Sequence, residues 1–110
     1  MKFAIVALVT VFAAGSAVAS DKVTDVDFLK ANRCKGLATS LTGVIDTQSL
    51  DSFIKAEGRA RAPYVMERAS AEFARARKEA KGAERKDRLT SELTGACQAY
   101  LAGPANVAKQ

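Results

Sequence analysis

Residues 28–41 read FLKANRCKGLATSL. Phe28 and Leu29 open an apolar face, and Cys34, Leu37, Ala38 and Leu41 then recur at i, i+3, i+4 and i+7. That spacing sets the four on one side of an α-helix. The pattern is irregular around Asn32-Arg33, Thr24-Asp25 upstream is a good N-cap with Asp27 near the positive end of the dipole, and Gly43 is the expected stop. A second stretch, LTSELTGACQAYL at 89–101, repeats the arrangement with Leu89, Leu93, Ala96, Cys97 and Tyr100–Leu101. Gly103-Pro104 ends it, which leaves residues 104–110 as a loose tail.

Cys34 and Cys97 are the only cysteines, and both fall on the apolar stripe of their helix. A bond between them forms without re-aiming either face. Closing so long a loop stabilises a fold by roughly 4 kcal/mol in the chain-entropy model. The competing readings are a redox pair, which favours C-x-x-C spacing, and two free thiols.

Between these stretches the period stays helical, and no run of β-branched residues alternates as a strand would. Asp46 or Thr47 caps a second segment with Leu50, Phe53 and Ile54 on one face and Gly58 at its end. Pro63 suits the first turn of a third, whose stripe runs Ala62, Met66, Ala69, Phe73, Ala76 and Ala80, with Val65 beside it. The second and third segments are either separate helices or one helix kinked at Pro63. Extending the third stripe beyond Gly82 fails, because position 87 is Asp. The expected fold is all-α: a small four-helix bundle stapled by one disulfide between its first and last helices.

Residues 1–19, MKFAIVALVTVFAAGSAVA, have the organisation of an export signal. Lys2 supplies the charge, Phe3–Ala14 the apolar run, and Ala17-Val18-Ala19 the small-x-small site, with cleavage before Ser20. The run is shorter than the ~20 residues of a spanning helix and Gly15-Ser16 interrupts it, so no stable membrane anchor is expected. The mature chain is then a single helical domain, residues 20–110, periplasmic or secreted, where a disulfide persists. Of its 38 apolar residues 16 are Ala, so its core is thin and an added staple is useful.

Charge is uneven along this domain. Arg59–Arg88 holds ten basic and five acidic residues, whereas the flanks are near neutral. In one reading this is a solvated face, its charge absorbed by the i, i+4 pairs Glu57/Arg61, Arg68/Glu72, Arg75/Glu79 and Glu84/Arg88. Arg59, Arg77, Lys78, Lys81, Arg85 and Lys86 are left over. In the other reading these six form a surface for an acidic protein or an anionic envelope component. Nucleic acid is a poor partner for an exported chain with few aromatics and no helix-turn-helix or RNA-recognition motif.

The chain has no His, which removes Ser-His and Cys-His nucleophiles and most zinc, haem and facial-triad iron sites. Phosphate-loop, dinucleotide, nucleophile-elbow and calcium-loop motifs are missing, so neither a metal, a cofactor nor catalysis is expected. Tyr64 and Tyr100 are the residues that would line a small-ligand cleft if one exists.

In size, export signal, helix count and a cysteine in both first and last helices, the plan resembles exported bacterial helical families with one disulfide. HdeA-type acid-stress chaperones and the periplasmic immunity proteins of type VI secretion are examples. The LTxxQ signature of Spy-type chaperones is not met, since Leu93 follows Leu89-Thr90-Ser91-Glu92. No functional residue carries over. The leading expectation is a non-enzymatic exported module that binds a partner through its basic surface. The alternatives are a stress chaperone with a conditionally exposed core, and a carrier of a small apolar ligand.

Overall fold

The computed structural model describes residues 22–101, so the export signal and the 104–110 tail lie outside the described residues. Five helices follow one another, with no strand among the described residues: α1 (Asp25–Ser40), α2 (Thr47–Gly58), α3 (Pro63–Glu79), α4 (Lys86–Thr94) and α5 (Gln98–Leu101). A single 3₁₀ turn, Ala83–Arg85, leads into α4.

Local chemistry sets the starts of the first three helices. The Thr24 hydroxyl accepts the Asp27 N–H at 3.1 Å while the Asp27 carboxylate accepts the Thr24 N–H at 3.0 Å, a reciprocal capping box. Asp46 rather than Thr47 caps α2, accepting the Gln48 N–H at 2.9 Å. Pro63 occupies the first turn of α3, where its missing N–H costs nothing. The turn at 59–62 makes α2 and α3 separate helices. Gly58 is the last residue of α2 rather than a residue beyond it. Gly43, at φ +84°, takes the left-handed turn after α1 that a side chain would resist.

α1 is the axis of the bundle. It is continuous through Asn32-Arg33, where the sequence suggested an irregularity, because the Asn32 amide donates to the Phe28 carbonyl at 2.9 Å and is satisfied inside the core. Phe28, Ala31, Cys34, Leu37, Ala38 and Leu41 are all buried. α3 covers one flank of α1, α2 and α4 pack on other parts of it, and α5 rests on α2. The main cluster joins the lower α1 residues to Leu50, Phe53, Leu89, Leu93, Cys97 and Tyr100, and a smaller one joins Phe28 to Val65 and Ala69.

Two stripes differ from their sequence expectation. On α3 the buried line is Val65, Ala69 and Ala76, while Met66 is exposed and Phe73 only half-buried. The helix is rotated toward its smaller residues because Gly36 of α1 admits the α3 backbone there. The expected single last helix is interrupted after Thr94: Gly95 caps α4, and Cys97 donates its N–H to Glu92 O at 3.0 Å before α5 begins. Cys97 therefore sits at the threshold of α5, and it is bonded to Cys34 with Cα atoms 5.8 Å apart. First and last helices are thus covalently joined. Among the described residues no helix is long and apolar enough to cross a membrane.

Candidate functional site

Four of the six basic residues that spacing leaves over, Lys78, Lys81, Arg85 and Lys86, lie at the α3–α4 corner, where α3 gives way to α4. Gly82 follows the turn after α3, the 3₁₀ turn Ala83–Arg85 comes next, and α4 begins at Lys86. Basic side chains at the end of α3 also face the negative pole of its dipole, which favours their placement there.

Arg33 fixes the corner to the rest of the bundle. From α1 its Nη1 reaches Glu79 of α3 at 2.8 Å, while Nε and Nη2 meet the two Glu92 oxygens of α4 at 3.0 and 3.1 Å. The Glu92 hydrogen bonds, aided by Glu79 and opposed by burial, raise the guanidinium pKa above its ordinary value. One planar cation therefore links three helices, a role its fork geometry suits.

Only part of the expected i, i+4 pairing occurs. Glu57 and Arg61 do meet, at 3.1 Å. Glu79 turns to Arg33 instead of Arg75, and Arg75 meets Glu72 at 3.3 Å, so Arg68 has no carboxylate partner among the described residues. Glu84 and Arg88 are likewise unpaired with one another there. The solvated-face account thus absorbs less of the positive charge than spacing suggests.

The six left-over residues are all exposed, and they divide into three groups. Lys78, Lys81, Arg85 and Lys86 gather at the corner, with no carboxylate in ion-pair range among the described residues. Arg77, also at the end of α3, lies over the Phe73 ring at 5.7 Å and has no carboxylate in ion-pair range among the described residues. Arg59 follows α2 at the opposite end of α3, roughly 20 Å of helix away. Nearby Arg61 belongs to the scaffold: it binds Asp25 at 2.8 Å and the Val23 carbonyl at 2.8 Å, and covers Phe28 at 5.7 Å.

Two grooves flank the corner and share Ala83. One, about 550 Å³, is lined by Arg75, Lys78 and Arg85 but also by Glu79 and Glu84. The other, about 360 Å³, brings Lys81 and Lys86 together with Ser40 at the end of α1 and Leu41, Thr42 and Val44 of the α1–α2 connection. Those four residues are forty positions away in sequence, and no spacing rule connects them to the corner.

A third groove, about 650 Å³, runs beside the disulfide and includes Lys30, Arg33, Cys34, Glu92, Gln98 and Tyr100. Tyr100 is buried and stacks obliquely on Phe53, ring centroids 5.7 Å apart. Burial first, and the Asp27 charge second, raise its hydroxyl pKa. Tyr64 is exposed and lines none of these grooves. The lining of the third groove mixes its charged and polar groups with the apolar surface of Cys34, Ala96 and Tyr100. Among the described residues no group of three or more Cys, Asp or Glu is placed to hold a metal ion.

No protein-family model matches the chain, and neither a curated protein nor a solved structure matches it.

Proposed function

We propose that the chain is a non-enzymatic, exported helical module that binds an acidic protein through the α3–α4 corner. The observation that carries this reading is the gathering of Lys78, Lys81, Arg85 and Lys86, exposed and without carboxylate partners among the described residues, around two grooves. Export rests on residues 1–19, and the closed Cys34–Cys97 bond accords with an oxidising compartment.

A protein partner suits the corner better than a lipid surface. Interfacial binding couples basic residues to large apolar side chains that insert among the acyl chains. The exposed large apolar residues of the described region are Val26, Tyr64 and Met66, and the latter two sit at the far end of α3. The corner offers concave charged grooves, which suit projecting acidic side chains.

The test is a pull-down from envelope extract of the native host with residues 20–110 as bait. A second bait has Lys78, Lys81, Arg85 and Lys86 changed to Glu. An acidic protein retained by the first and lost from the second supports the reading. Identical retention by both baits refutes it, and recovery of anionic lipid alone assigns the corner to the membrane surface.

A further inference from the structure

The two sides of the corner are not equivalent. On the side of the larger groove, Glu79, paired with Arg33, and the unpaired Glu84 stand among the basic residues, and Glu84 repels an incoming carboxylate. The smaller groove has no acidic residue in its lining: Lys81 and Lys86 are joined by Ser40, Thr42 and Thr90. Those three hydroxyls donate to nothing else among the described residues. The same groove carries apolar surface from Leu41, Val44 and Ala80, and Val44 and Ala80 are only half-buried. A cationic rim, spare donors and an apolar floor in one groove are complementary to an acidic side chain with an aliphatic neighbour.

We infer that the Lys81–Lys86 groove is the recognition side of the corner, and that it takes an acidic–aliphatic segment of a partner protein. A Glu or Asp carboxylate sits between the two ammonium groups, and an adjacent aliphatic side chain rests on Val44 and Ala80. The inference rests on the proposed acidic-partner reading and assigns that reading to one groove. A volume of about 360 Å³ suits one or two side chains, not a folded surface.

The experiment uses amide chemical-shift mapping on the disulfide-bonded protein. The probes are a capped pentapeptide with one glutamate between two leucines, its glutamine analogue, poly-L-glutamate and inorganic phosphate. The expected result is shifts from the glutamate peptide at Leu41, Lys81, Lys86 and Thr90, lost with the glutamine analogue. The double variant K81E/K86E binds the glutamate peptide about tenfold more weakly, whereas K78E/R85E, which only lowers the positive field beside the groove, weakens it severalfold less. All four positions are exposed, so both variants fold.

Shifts centred on Lys78 and Arg85, or equal losses from the two double variants, overturn the groove assignment and leave the acidic-partner reading standing. Equal shifts from phosphate and the peptide overturn it in favour of a plain oxyanion site. No shift at the corner from either the peptide or poly-L-glutamate overturns both.

Discussion

Gly36 of α1 lies directly against the backbone carbonyl of Phe73 in α3, and a methyl group at Gly36 would also stand 2.8 Å from the Ala76 Cβ. This contact lets the two longest helices approach backbone to backbone and sets the rotation of α3. The Gly36→Ala variant tests it. In an open helix the change stabilises by up to ~1 kcal/mol, but here the overpacking costs ~1–3 kcal/mol. The net prediction is a destabilised protein with a lower urea midpoint. An unchanged or raised midpoint would show that α3 is not held this close.

Arg33 bridges Glu79 and Glu92, and that arrangement depends on its fork. Arg33→Lys keeps the charge but loses the double engagement. After allowance for partial solvent exposure the expected cost is about 1 kcal/mol, with a further small loss in Arg33→Ala. Thermal melts read it. If Lys at position 33 matches the parent, the pair is a screened surface contact only.

Removing the disulfide as Cys34→Ala/Cys97→Ala should cost ~2–4 kcal/mol, a large share of what a small Ala-rich domain possesses. The reduced or substituted protein should unfold at a much lower urea concentration, α5 losing hydrogen-exchange protection first. Retention of the parent midpoint would contradict the view that the bond secures a thin core.

Tyr100 gives a defined pH dependence. Its hydroxyl pKa is raised in the fold, mainly by burial, so the phenolate is favoured in the unfolded chain. The associated stability is complete below the unfolded value of ~10 and is lost as pH rises through that value towards the folded one. Tyr100→Phe keeps the ring against Phe53, so it should match the parent near neutral pH and decline less steeply above about pH 10. Parallel alkaline curves for the two proteins would contradict this.

These relationships also show what the sequence makes legible. The period of residues 28–41 and 89–101 brought both cysteines onto apolar faces, and the caps at Thr24 and Asp46 are local chemistry that sequence displays directly. The rotation of α3 was hidden, because Met66 and Phe73 look like core by hydrophobicity while the deciding contact is Gly36 against Phe73. The break at Gly95 was hidden for a similar reason: the Cys97 N–H to Glu92 carbonyl bond satisfies a turn that period alone reads as helix. At the corner, spacing found the four lysine and arginine residues but grouped them with Arg59 and Arg77. It had no means of bringing Leu41 and Val44 beside Lys81, since that proximity exists only after α1 and α3 pack.

Binding through the α3–α4 corner, as proposed, depends on the position of the basic residues and not on overall positive charge. Its most direct test is the salt-dependent affinity for poly-L-glutamate of three proteins. These are the parent, the corner variant with Lys78, Lys81, Arg85 and Lys86 changed to Glu, and an equal-charge control with Lys22, Lys30, Lys55 and Arg68 changed to Glu. The expected result is a loss of at least about tenfold in the corner variant at ~0.15 M salt, and a several-fold smaller loss in the control. Equal losses in the two variants would contradict the claim, because net charge alone would then account for binding.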